Sequence, residues 1–433
     1  MGNHRMVIVF GICLSIAGCC MPFADCAMAS DVIRLFDDKV NKNNVNVKPL
    51  LNQTETMHVN LSFNLVSITE FNEVDQRFSC NAWLDVYWKD ELLVWNSSEY
   101  GDLKMVWPPN DKVWRPSLAV ANIHNDFKTL EIKSGIVMLQ NDGTAKWAPG
   151  EAFQTFCKVD ISSYPFDKQR CDIEFFIWGM GLDEVVLHPM HDGINTDAYK
   201  KNGEWDIVAT KAYQEVRGTT TIMSMIVVSF LLERRPFFYV LNIVMPVLVL
   251  AILNVFVFLI PVESGEKISY GITVLLAFGV FMSFISDMLP QTSESICMLA
   301  VYMASLLILS AAFVCISIII TRIHHKESLG DPVPKWVRNA TLALECLSCQ
   351  NKKRIDPMGD EITREKEKVR NPNAVSVLRA WEGSDPMTWT RFSRALDSFC
   401  FCFFTLAILA VTGTIMVKMK FGGNKITIDS KIH

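Results

Sequence analysis

Charge is scarce in this 433-residue sequence: only 20% of its residues are Asp, Glu, Lys or Arg, whereas 50% are apolar. That is too little charge for one evenly solvated soluble domain. Nor is there a basic excess, because a formal net charge of -5 offers no positive field to a polyphosphate backbone, which argues against nucleic acid as a partner. Catalytic signatures are missing as well. There is no Gly-rich phosphate loop, no His-Glu-x-x-His and no nucleophile elbow, so an enzyme is the poorest class and no cofactor is implied. Internal repeats are not visible. Cysteine is sparse where oxidation is permitted, since only Cys80, Cys157 and Cys171 of the 13 lie between residues 30 and 235. Cys346 and Cys349 make one Cys-x-x-Cys without the second pair that zinc needs, so a reduced or lipidated juxtamembrane pair is the better reading. His188, His191 and Asp192 could ligate a metal, but in a Pro-containing loop a solvated cluster is preferred, and no metal site is expected.

The apolar residues are concentrated rather than spread. A basic start and the apolar Met6 to Gly18, followed by small residues up to Ala29, have the layout of a secretory signal peptide cleaved before Ser30, with an uncleaved anchor as the alternative. Four further runs, Phe237 to Pro261, Ile268 to Ser286, Ile296 to Thr321 and Ser398 to Val417, each approach the length that carries a helix across hydrocarbon. Arg322, Lys326, Arg391 and Arg394 flank the segment between the third and fourth runs as a cytoplasmic loop requires, whereas Lys418, Lys420 and Lys425 oppose that orientation. The signal peptide decides it, placing the amino terminus outside.

Between Ser30 and Arg235 the pattern changes to short alternating stretches broken by Pro, Gly, Asn and Asp, which reads as an antiparallel β-sandwich. Sequons at Asn52, Asn60 and Asn96 suit an exported domain; a fourth, at Asn339, falls in the cytoplasmic segment where it could not be used. The expected organisation is a signal over 1–29, a sandwich over 30–235, three membrane helices over 236–321, a cytoplasmic loop with an amphipathic helix over 322–394, a fourth membrane helix over 395–418 and an extracellular tail over 419–433.

The second membrane run carries a pattern of its own. Glu266, Ser269, Thr273, Leu276, Val280, Ser283 and Asp287 step by three and four residues and so share one helical stripe, acidic at both ends and apolar in the middle. The remainder of the run is almost uniformly apolar. A lipid-facing helix has no use for hydroxyls at depth on one face, so the stripe lines a pore or forms a helix-packing seam.

Cys157 and Cys171 bracket thirteen residues, Lys158 to Arg170, with Tyr164-Pro165-Phe166-Asp167 at their centre. This resembles the signature loop of the Cys-loop, pentameric ligand-gated ion channels. Trp114-Arg115-Pro116, Gly203-Glu204-Trp205, Glu233-Arg234-Arg235-Pro236-Phe237-Phe238-Tyr239 and Gly265-Glu266-Lys267-Ile268-Ser269 are similar to segments of the nicotinic branch, and the likeness runs from about Val47 to Val417. The resemblance implies a disulfide between Cys157 and Cys171, leaving Cys80 over, as a buried thiol in preference to an intermolecular bond. It also implies assembly with four further subunits, in a homo- or heteropentamer, and a small-molecule agonist held at the subunit interface. The setting would be the plasma membrane, with permeant cations passing through the bilayer. Glu263 and Glu266 would ring the cytoplasmic mouth and Asp287 the outer one, with Leu276 and Val280 as apolar rings between.

For the agonist, the resemblance matches Trp178 to the principal face, Trp88 to the complementary face and Tyr213 to one remaining aromatic wall. Ala121, Ser117 and Met223 replace residues usual in nicotinic sites, and the adjacent cysteine pair is absent, so acetylcholine is not implied as the agonist. Glu73, Asp167, Arg234 or Arg235, and Pro290 would couple the two halves. One alternative remains, a structural partner subunit of a heteropentamer lacking a working principal face.

Overall fold

The computed structural model describes residues 27–127, 129–130, 136–291, 294–327, 329, 332–347, 388–422 and 427–428. Nearly all of the expected signal peptide, together with Cys349 and Lys425, lies outside them.

A short helix α1 (Ala29–Leu35) leads into two stacked sheets. The first contains β1 (Met57–Asn72), β2 (Arg77–Lys89), β3 (Met105–Val106), β5 (Val137–Gln140), β6 (Thr144–Trp147), β7 (Gly150–Phe156) and β9 (Val185–Pro189); the second orders β10 (Trp205–Arg217), β11 (Met223–Arg234), β8 (Lys168–Ile177) and β4 (Leu118–Val120). Val59, Leu61, Phe63 and Leu65 alternate inward along β1 while His58 and Asn60 face out, as a period of two requires of a strand with one buried face. The sheets meet on Phe63, Phe153, Phe175 and Phe230, whose ring centroids lie 5.5 to 6.0 Å apart. The named strands pair antiparallel except for β9 with β1, and isolated parallel bridges at Asn195 and Lys200 continue along β1. β9 runs parallel to β1, pairing Met57 with Val185 through Leu61 with Pro189, because the chain crosses from the second sheet before it joins the first.

Cys157 and Cys171 are bonded, tying the end of β7 to β8 across the 14-residue separation, and Cys80 is a free, fully buried thiol. Closing a loop of that length removes about 3 kcal/mol of chain entropy from the unfolded state. Cys157→Ser or Cys171→Ser should therefore abolish surface delivery. Recovery of both thiols free from surface-delivered wild-type protein would refute the need for the bond.

Among the described residues, four helices are long and apolar enough to cross a membrane: α2 (Phe237–Phe258), α3 (Lys267–Asp287), α4 (Met298–His325) and α6 (Trp389–Gly422). A π-helical turn, Val240–Val244, directly precedes Met245-Pro246, where the missing proline N–H interrupts the ladder. Gly271 lets α3 approach α4 closely, since a Cβ there would stand 3.1 Å from Val314 Cγ2. The fourth helix extends past its expected bounds at both ends. Its 34 residues span about 51 Å, so Arg391 and Arg394 are helical and its far end, at Met419 and Gly422, packs toward the disulfide loop. Between α4 and α6, the amphipathic α5 (Lys335–Leu347) buries Val337 against Trp389 and Phe392, and Glu345 pairs with Arg391 at 2.8 Å.

Candidate functional site

The stripe singled out in the sequence lies on a face of α3 that the other helices of the chain leave uncovered. Glu266, Ser269, Thr273, Leu276, Val280, Ser283 and Asp287 are all exposed, whereas Lys267, Gly271, Val274, Phe278 and Ile285 are buried against the other helices. Leu276 is 66% and Val280 70% exposed, so no other helix of the chain covers the middle of the stripe. Thr273 donates its hydroxyl to the Ser269 carbonyl at 2.9 Å, satisfying it within the helix.

Glu263, expected to ring the inner mouth with Glu266, is exposed but has cationic neighbours within the chain. It lies in the turn before α3, where Arg394 of α6 donates to its carboxylate at 3.3 Å and His324 of α4 stands at 3.9 Å. A hydrogen bond from its own backbone amide, then the Arg394 contact, hold its carboxyl below the usual range. The charge is thus met inside the subunit.

Three of the residues expected to couple the two halves, Glu73, Asp167 and Arg234, meet in one charged cluster. Arg234 at the end of β11 is 3% exposed; its Nε and Nη2 donate to Asp167 of the disulfide loop at 2.7 and 3.1 Å, and Nη2 meets Glu73 at 2.5 Å. Trp205, Tyr164 and Tyr239 surround the guanidinium at 4.3 to 5.0 Å from their ring centroids. Burial works against the charge, but Asp167 and Glu73 more than offset it, keeping the guanidinium ionised. Arg235, one residue on, points to the opposite side and pairs with Asp206 at 2.5 Å on the surface. The choice between the two arginines therefore falls on Arg234. Pro290 is buried at the head of the connection between α3 and α4, and the polar contacts to the disulfide loop come from that connection's later residues and the first residue of α4: Glu294 with Lys158 at 2.9 Å, Ser295 Oγ with the Ile161 amide at 3.2 Å and the Met298 amide with the Ser162 carbonyl at 3.4 Å.

The aromatic residues divide differently from expectation. Trp178, just past β8, is 55% exposed and stands against Phe127 at 4.8 Å and Phe176 at 6.0 Å, forming an aromatic corner on the outer face of the second sheet. Trp88 is 3% exposed and packs on Trp114 at 5.9 Å, so it belongs to the core and is corrected as a surface ligand contact. Strand parity explains why: Leu84, Val86 and Trp88 share the inner face of β2, and the outward tryptophan on that strand is Trp83. Tyr213 lies on the same sheet face as Trp178 but opposite Val227 and Glu174, four residues and about 13 Å along the strands from it. Its hydroxyl is 3.3 Å from Arg170. The structure does not bring the two rings together. Tyr213 instead lines a cleft of about 700 Å³ in which Arg170 pairs with Asp172 at 3.2 Å and Arg217 with Glu174 at 2.7 Å and Glu215 at 2.9 Å. Phe176 was readable as Trp178's same-face neighbour two residues earlier; Phe127 comes from a distant loop and carried no local signal. Ala121 and Ser117 are exposed beside this face, and Met223 opens β11 with its side chain against Phe176 and Met225.

Asn52, Asn60 and Asn96 are exposed; Asn52 Oδ1 accepts from Thr54 Oγ1 at 2.8 Å and Asn96 Oδ1 from Ser98 Oγ at 2.9 Å.

Residues 32–236 match the neurotransmitter-gated ion-channel ligand binding domain, and residues 243–380 the neurotransmitter-gated ion-channel transmembrane region. The chain belongs to the neurotransmitter-gated ion-channel family, in its Cys-loop, nicotinic-like branch. It is 30% identical over 345 residues to Ligand-gated ion channel 4 of Caenorhabditis briggsae, which covers 77% of this chain and 51% of that protein. With the Neuronal acetylcholine receptor subunit beta-4 of Bos taurus it shares 28% identity over 320 residues, 73% of this chain and 64% of the relative. The chain thus spans between about half and two thirds of the length of these curated relatives. The family is not one of enzymes, and it places the protein in the plasma membrane with the sandwich on the extracellular side.

Proposed function

We propose that this chain is a subunit of a cation-selective ligand-gated channel, in which a small-molecule agonist of neurotransmitter type binds at a subunit interface and opens a five-fold pore lined by α3. Four further subunits, of this or related chains, complete the ring. The observation that carries the reading is the uncovered stripe of α3, with Glu266 and Asp287 at its ends and Leu276 and Val280 between. Repeated around an axis, these acidic residues concentrate cations at the two mouths, and the apolar residues form a neck that excludes water and ions when narrow. Trp178 and Phe127, backed by the buried Phe176, supply the exposed aromatic surface for the agonist on the principal side, a geometry suited to an organic cation over a ring face. That exposed corner, together with the kinship above, gives the alternative of a partner subunit without a principal face no support.

Two measurements test this. The reversal potential of agonist-evoked current should follow sodium and ignore chloride, and Glu266→Gln should lower cation conductance several-fold; a reversal potential that tracks chloride overturns the reading. Trp178→Ala should shift the dose-response curve of whichever transmitter opens the wild type by about tenfold or more at unchanged surface density, the loss expected when a cation contact of roughly 1–2 kcal/mol is removed. An unshifted curve would remove the agonist from the Trp178 corner.

A further inference from the structure

Each subunit brings three charged side chains to the inner end of α3, and they meet different fates. Glu263 is held by Arg394 at 3.3 Å. Lys267 is 2% exposed and donates to Asp397 Oδ1 at 2.5 Å, with the Phe258 ring 6.0 Å from its Nζ. Glu266 is exposed and has no ion pair among the described residues. Arg394 and Asp397 lie three residues apart on α6 and so face the same way. The outermost helix therefore pairs Glu263 and Lys267 and leaves Glu266 as the unpaired charge on the stripe.

Lys267 follows Glu266 directly, and one helical step turns its side chain off the stripe and into the bundle. In surroundings this apolar an ammonium acts over a long distance, and uncompensated it would oppose the field of Glu266 on any ion at the mouth. Asp397 converts that charge into a short dipole whose field decays within a few ångströms. A carboxylate inside the apolar run of α6 is itself costly unless paired, so the two residues justify each other.

We propose that Asp397, on the helix farthest from the stripe, is a specificity-determining residue of the channel: by cancelling Lys267 it leaves Glu266 as the net charge of the inner mouth and so preserves cation selectivity. Asp397 acts through Lys267 and is a positioning residue rather than one that touches the ion. The proposal rests on the cation-pore reading above.

The test needs neither an agonist nor a current. In purified full-length protein carrying Ser269→Cys, the rates of modification at residue 269 by a cationic and an anionic methanethiosulfonate reagent are compared by peptide mass spectrometry, and their ratio reports the local potential. The parent should favour the cationic reagent, and Glu266→Gln should lower the ratio. Asp397→Asn should lower it by about tenfold, the effect of one unmasked charge roughly 10 Å away, and adding Lys267→Gln to that variant should restore it. The exchanged pair, Lys267→Asp with Asp397→Lys, should keep the parent ratio, which preserves the test should Asp397→Asn fail to fold. An unchanged ratio in Asp397→Asn alongside a lowered one in Glu266→Gln, or a raised ratio in the exchanged pair, overturns the proposal. A parent with no cationic preference that is also insensitive to Glu266→Gln would instead overturn the cation-pore reading.

Discussion

Replacing Arg234 with Gln should leave almost no protein at the cell surface, and no current from what arrives. Among the described residues, the guanidinium is the only cation paired with the two carboxylates in this pocket, at 2.5 Å from Glu73 and 2.7 Å from Asp167, and Asp167 is itself almost fully buried. Removing one member of a buried charge group while leaving its partners costs about 3–5 kcal/mol, a large share of the ~5–15 kcal/mol by which a domain is stable. The loss falls where the sandwich meets the membrane helices, because Arg234 closes β11 and Phe237 opens α2. A triple variant, Glu73→Gln with Asp167→Asn and Arg234→Met, removes the charges together and should recover surface delivery without recovering gating. Surface biotinylation separates folding from coupling. Wild-type delivery and current in Arg234→Gln would show that the cluster neither holds nor couples the two halves.

Leu276→Thr should open the channel without agonist, or lower the agonist concentration needed by tenfold or more. In the closed state a ring of apolar side chains neither replaces an ion's hydration shell nor holds water in a narrow neck. A hydroxyl at each of the five positions eases wetting, and the change is repeated in every subunit, so a small gain per subunit multiplies. Leu275 is partly buried, one position round the helix from the uncovered stripe, and Leu275→Thr should change resting current little. Resting current recorded from both variants at matched surface density decides the register. If Leu275→Thr opened the channel while Leu276→Thr did not, the stripe would be misplaced by a residue and every pore assignment with it.

Features with a local period were legible in the sequence. The stripe on α3 could be read because a helix repeats every 3.6 residues, and the uncovered face of that helix coincides with it. The disulfide loop was legible through its resemblance to a known family, and the pairing of Cys157 with Cys171 is present. Where reading went astray, a single step of parity was at stake. Trp88 and Trp83 are five residues apart on one strand and so face opposite ways, and a motif alignment that ignores the period of two selects the buried one. Arg234 and Arg235 pose the same question, and burial answers it in favour of Arg234.

By itself, the sequence determined the two-part architecture, the four membrane-spanning helices and the face of α3 that stays uncovered, because each follows from hydrophobic periodicity within a single segment. Tertiary structure alone decided which charges remain in play. Lys267 and Asp397 are 130 residues apart, Arg394 and Glu263 are 131, and Arg234 and Asp167 are 67. Whether a charge is free or cancelled depends on a partner within about 4 Å, and nothing in the spacing of one helix reveals which residue another helix will bring there.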